Sequence, residues 1–156
     1  MKIIIEKNYE DLSKQAAEIV KQAIQEKLNL VLGLATGSTP IGLYQKLIQM
    51  YKENVLDFSK IITFNLDEYL GLPANHSQSY HYYMKENFFD NINIDSKNIH
   101  IPDGETKDVK VFCRDYEQDI QNMGGIDLQI LGIGSDGHIG FNEPGTPFNS
   151  RTHLAK

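Results

Sequence analysis

The chain has 156 residues, 40% hydrophobic and 23% charged, with 8 Tyr, 7 Phe and no Trp; at that length folding buries roughly 70% of the surface an unfolded chain exposes, and the composition argues against disorder. A net charge of -6 without a run of Lys or Arg argues against a nucleic-acid or anionic-membrane surface. One cysteine, Cys113, permits no intrachain disulfide and no Cys-rich zinc or iron–sulfur site, and no stretch reaches the roughly 18 apolar residues of a membrane span.

In chain order, KIIIE at 2–6 reads as a short buried strand, too brief for a signal-peptide core, and the expected location is the cytoplasm. Asn8 can cap a helix whose apolar residues Leu12, Ala16, Ile19, Val20, Ala23, Ile24 and Leu28 recur at helical spacing. NLVLGLA at 29–35 is a continuous apolar run bounded by TGST, as in a strand covered on both faces. Thr39 and Pro40 supply an N-cap and first helical residue for a helix with the stripe Tyr44, Leu47, Ile48 and Tyr51.

IITFNL at 61–66 predicts a third strand, and the loop DEYLGLPANHSQ leads from it into an aromatic helix around SYHYYMKENFF. NIHIP suggests a further short strand. A helix carrying Val109, Phe112, Cys113, Tyr116, Ile120 and Met123 stops at Gly124 and Gly125, and IDLQILGIG is the last strand. Alternating apolar strands and amphipathic helices predict one α/β domain over residues 1–156. Its fold class is an open, mostly parallel, Rossmann-like sheet with helices on both faces.

Ligands in such sheets bind at the carboxyl ends of the strands. Three predicted strands end there in polar clusters: ATGST, NLDEY and GSDGH. In TGSTP, exposed N–H groups, the Ser38 and Thr39 hydroxyls and a helix N-terminus suit a phosphate, although the Gly-Lys-Ser/Thr ending of a nucleotide P-loop is absent. Asp67 and Glu68 stand at the mouth of the crevice, where partial shielding would raise a carboxyl pKa and allow general-base work. Solvated loop acids are the plainer reading.

Gly132, Gly134 and Gly137 spell the spacing of a dinucleotide fingerprint. The prolines of FNEPGTPFN oppose the helix such a fingerprint opens, and Asp136 would put negative charge inside the cradle. The glycines instead predict a tight turn holding His138 between Asp136 and Glu143, an arrangement suited to moving protons near neutral pH. Asp67, Asp136, His138 and Glu143 could alternatively ligate a divalent ion, although one histidine gives weak metal selectivity.

On LATGSTPIGLY, FNLDEYLGL, SYHYYM, GIGSDGHIGFNEPG and SRTHL, the sequence resembles the glucosamine-6-phosphate deaminases from Met1 to Lys156. The lactonase relatives share the G-x-G-x-D-G-H element but continue differently where this chain has FNEPG. The resemblance implies conversion of glucosamine 6-phosphate to fructose 6-phosphate and ammonia, in amino-sugar catabolism, without cofactor or metal. It implies that His138 opens the sugar ring, tuned by Asp136 and Glu143, and that Asp67 moves the proton from C2 to C1. Gly37, Ser38 and Thr39 would contact the phosphate.

The partner implied is a small sugar phosphate, with no nucleic acid or membrane; a homo-oligomer is left open. Family members extend beyond the equivalent of Lys156, so the chain is expected to be an N-terminal portion, truncated at its C-terminus and poorly active alone. His153 and Ala155 stand where members activated by N-acetylglucosamine 6-phosphate carry basic residues, so that activation is not expected. The alternatives are a non-catalytic sugar-phosphate-binding module and a 6-phosphogluconolactonase-like hydrolase.

Overall fold

A computed structural model describes residues 2–155. Its four-stranded sheet is wholly parallel, in the order β3-β2-β1-β4. The strands are β1 (Val31–Leu34), β2 (Ile62–Asn65), β3 (Ile99–His100) and β4 (Leu128–Gln129). The helices are α1 (Tyr9–Glu26), α2 (Ile41–Lys52), α3 (Tyr80–Asn87) and α4 (Val109–Asn122). β1 is buried throughout and β2 at all positions but Ile62, as strands covered on both faces require.

The alternation of side chains along the strands divides the core in two. Leu32, Leu34 and Ile61 pack with Ala17, Val20 and Ile24 of α1, Leu43, Tyr44 and Leu47 of α2, and Met84 of α3. Val31 and Phe64 face the other way, onto Tyr116 of α4. Tyr116 also ties the sheet together, its hydroxyl meeting Asn65 O at 2.8 Å and His100 O at 3.2 Å. Gly33 has no side chain because Gln129 of β4 lies across it; a Cβ there would collide with the Gln129 amide.

Four expectations need correction. Residues 2–6 form no strand, and Ile3 and Ile5 are exposed: a strand needs a paired edge, and this segment has none among the described residues. On α1, Asn8 caps as expected, accepting Asp11 N–H at 2.9 Å. The buried line there, however, is Ser13, Ala17, Val20 and Ile24, leaving Leu12 and Ile19 exposed, and Leu28 lies beyond the helix, also exposed. Thr39 does not cap α2, which starts at Ile41 without a side-chain cap from its N-cap residue, Pro40. β4 is only two residues long, and the ILGIG stretch leaves the ladder after Ile130 N–H donates to Gly33 O at 2.8 Å.

Candidate active site

Parallel register brings the three polar clusters to one edge. Leu34 pairs with Asn65 and Gly33 with Gln129, so the loops after β1, β2 and β4 leave side by side. β3 and β4 lie on opposite sides of the β1–β2 pair, so the chain reverses direction across the sheet at β1. That is the position where open α/β sheets form a ligand crevice.

The two acids after β2 diverge. The Glu68 side chain is 1% exposed. One of its oxygens accepts the N–H groups of Tyr69 and Tyr80 at 2.8 and 2.9 Å, and the other accepts the backbone N–H of His81 at 2.9 Å and meets its ring Nδ1 at 2.9 Å. It therefore satisfies the orphan donors at the start of α3, together with Ser79, whose hydroxyl accepts Tyr82 N–H. Glu68 lines the same cavity as Asp67, as expected, but its oxygens are spent on the helix and are not available as a base.

Asp67 has no such partners. Partial burial, with a smaller push from the neighbouring Glu68 charge, raises its carboxyl from the ordinary 3.8 to about 6. Its Oδ2 lies where a Cβ on Gly140 would come within 3.1 Å, so the loop after β4 closes directly on it. Tyr69, Tyr80 and Phe141 cluster beside it, with ring centroids 4.9 to 6.3 Å apart.

In the loop after β4, His138 Nδ1 lies 2.7 Å from Asp136 Oδ1 and 3.9 Å from Glu143 Oε2. Asp136 also accepts the His138 backbone N–H at 3.2 Å. That bond and the ring contact hold its carboxyl below the usual carboxylate range. An ionised carboxylate only accepts, so Asp136 places the ring proton on Nδ1 and leaves Nε2 free to act. The glycines serve this geometry. A Cβ on Gly134 would collide with the imidazole, and Gly137 and Gly140 take φ of +91° and +58°.

Asp136, His138 and Glu143 present one ligand atom each within 4.8 Å of one another. Among the described residues this is the group that could hold a divalent ion. Asp67 lies outside that group; it lines, with Glu143, Phe141 and Arg151, a cavity of about 540 Å³. Gly37, Ser38 and Thr39 are exposed and do not line this cavity. Arg151, legible in the sequence only as part of SRTHL, lines the cavity, and Tyr9 and Tyr83 reach the 37–39 loop from distant helices.

Fold and site together define an α/β domain with acidic side chains and a histidine gathered at the carboxyl edge of a parallel sheet. The family described as glucosamine-6-phosphate isomerases/6-phosphogluconolactonase matches residues 6–149, and the chain belongs to it. It is 61% identical over 154 residues to a glucosamine-6-phosphate deaminase of Thermoanaerobacter sp. (strain X514), covering 99% of this chain and 61% of that protein. Against glucosamine-6-phosphate deaminase 2 of Bacillus subtilis (strain 168) it is 54% identical over 156 residues, covering 100% of this chain and 63% of that one.

Among solved structures, a monomeric glucosamine-6-phosphate deaminase superposes with a TM-score of 0.96 at 49% identity, over 98% of this chain and 64% of that one. The 6-phosphogluconolactonase of Thermotoga maritima gives 0.72 at 27%, over 88% and 61%. The chain thus spans about three fifths of the length of the curated relatives it matches.

Proposed function

We propose that this chain carries the acid–base site of a glucosamine-6-phosphate deaminase, converting glucosamine 6-phosphate and water to fructose 6-phosphate and ammonia. The observation that carries the reading is the pairing of a desolvated Asp67 with a loop that holds His138 by two carboxylates. His138 Nε2 moves the proton between O5 and the hydroxyl of C1 as the ring opens, while Asp136 fixes the tautomer and Glu143 stabilises the cation.

Asp67 then removes the proton from C2 of the open chain and returns it to C1. This shifts the double bond through an enolamine and leaves a ketimine that water hydrolyses, releasing ammonia. A carboxyl held near 6 suits this task, because its conjugate acid can give the proton back near neutral pH. Ser38 and Thr39, with Gly37 making the turn, receive the phosphate at the start of α2. Names of relatives 54 to 61% identical support the substrate.

The test is release of ammonia from glucosamine 6-phosphate by a full-length version of the protein, run beside 6-phosphogluconolactone hydrolysis. Ammonia release is expected. Lactone hydrolysis instead, or tight sugar-phosphate binding with neither reaction, would replace this reading with a lactonase or a binding module.

A further inference from the structure

Tyrosines from three helices hold the loop that leaves β1. At its base, the buried Tyr44 of α2 donates to Ala35 O at 2.5 Å. Tyr83 of α3 donates to Gly37 O at 2.6 Å. Tyr9, the first residue of α1, accepts the N–H of Gly42 at 2.8 Å, and its one hydroxyl proton lies between Ser38 O at 3.1 Å and Thr39 O at 2.9 Å. The carbonyls of residues 37, 38 and 39 therefore all face hydroxyls from outside the loop.

This arrangement fixes where the N–H groups point. In a trans peptide the C=O and the following N–H are directed oppositely. Holding Gly37 O against Tyr83 turns the Ser38 N–H away from α3, and holding Ser38 O against Tyr9 turns the Thr39 N–H away from α1. Neither N–H has an acceptor among the described residues. Tyr9 also does the work that an N-cap hydroxyl ordinarily does, because it takes the Gly42 N–H of the first turn of α2. The Ser38 and Thr39 hydroxyls are thereby spared.

Packing holds Tyr9 in place. A Cβ on Gly42 would stand 2.9 Å from Tyr9 Cε1 and collide with Ser13 Oγ, so the absence of a side chain there lets α1 approach α2. Gly37, at φ +91°, turns the chain between the two tyrosine contacts.

Building on the phosphate-loop assignment above, we propose that Tyr9 and Tyr83 are positioning residues. By engaging the carbonyls of residues 37–39 they keep the N–H and hydroxyl groups of Ser38 and Thr39 directed at the phosphate of the substrate. They touch the loop and not the reacting carbons.

The experiment is calorimetric titration of wild type, Tyr83→Phe, Tyr9→Phe, the double variant and Ser38→Asp with glucosamine 6-phosphate and with inorganic phosphate, and KM and kcat for each. Phenylalanine keeps the rings and removes only the hydroxyls. Each single change should weaken both ligands about five- to tenfold, and the double change by roughly the product. KM should rise in step while kcat stays within about twofold.

A purely structural role would lower the melting temperature without moving phosphate affinity. Wild-type affinity in Tyr83→Phe, with binding lost in Ser38→Asp, overturns the positioning role and leaves the phosphate loop standing. Wild-type affinity in Ser38→Asp overturns both. Should Tyr9→Phe fail to fold through its contact with α2, Tyr83→Phe decides alone.

Discussion

Glu68 binds His81 twice, accepting its backbone N–H and its ring Nδ1 each at 2.9 Å, from a carboxylate 1% exposed to solvent. The second oxygen takes Tyr69 N–H and Tyr80 N–H. Because the group is buried and every bond is charge-assisted, removing it strands several donors. Glu68→Ala should lower stability by about 3 kcal/mol in urea unfolding. Glu68→Gln should lose about 2, since one acceptor becomes an amide facing N–H groups.

Asp67 makes stability depend on pH. Its folded pKa, about 6, lies above the ordinary 3.8, so between these values the folded chain binds more protons than the unfolded one. Stability from this group is present below pH 3.8 and is lost as pH rises through 6. The difference corresponds to at most about 3 kcal/mol, less for a group partly open to water. Asp67→Asn should therefore gain about 1–2 kcal/mol at pH 7.5 and nothing at pH 3.5. Denaturant midpoints at the two pH values check it, and an equal effect at both would remove desolvation as the cause.

Asp67 and His138 should fail at different steps. With Asp67→Asn, exchange of the C2 hydrogen of glucosamine 6-phosphate with deuterated solvent should be lost, while ring opening persists. With His138→Asn, ring opening should slow, and C2 exchange should continue on whatever open chain forms without help. General acid–base groups contribute about 10²- to 10⁴-fold, so either defect is large. NMR in deuterated water separates them, and wild-type exchange in Asp67→Asn rules that carboxylate out as the C2 base.

The pH profile supplies a further check. If Asp67 acts as a base, kcat/KM should fall below about pH 6, where it takes up its proton. The acid limb should be absent from the residual rate of Asp67→Asn. An unchanged limb in that variant assigns it to another group.

Gly134 offers a variant that leaves Asp67, Asp136, His138 and Glu143 chemically unaltered. A methyl placed there collides with the His138 imidazole, which must swing off Asp136. Gly134→Ala should lower turnover about 10²-fold or more, in the manner of His138→Asn. Its C2 exchange should survive. An Asp67-like loss of exchange would mean the loop as a whole had moved.

What could be read from the sequence follows how local the interactions are. The apolar runs at 29–35 and 61–66 specify β1 and β2, and Asn8 caps its helix three residues away. The tight turn around His138 was also legible, since the glycines, Asp136 and Glu143 all lie within nine positions of the ring. Glu68 caps α3 from 12 residues away and Tyr9 meets Gly42 across 33, so neither role leaves a local pattern. Residues 2–6 have strand composition, but composition supplies no partner edge. On α1 the spacing placed Val20 and Ile24 but not Ser13 and Ala17, because helical spacing gives a period and not the direction of the neighbour.

The two-residue β4 divides the site into halves of unequal stiffness. Asp67 and the 37–39 loop leave strands joined by four registered pairs, whereas the His138 loop leaves a strand joined by two. Local opening follows the number of bonds that must break together. Amide hydrogens beyond Ile130 should therefore exchange with solvent well before those of β1 and β2. The loop carrying Asp136, His138 and Glu143 can therefore shift as one piece while the strands that carry Asp67 and the 37–39 loop stay paired.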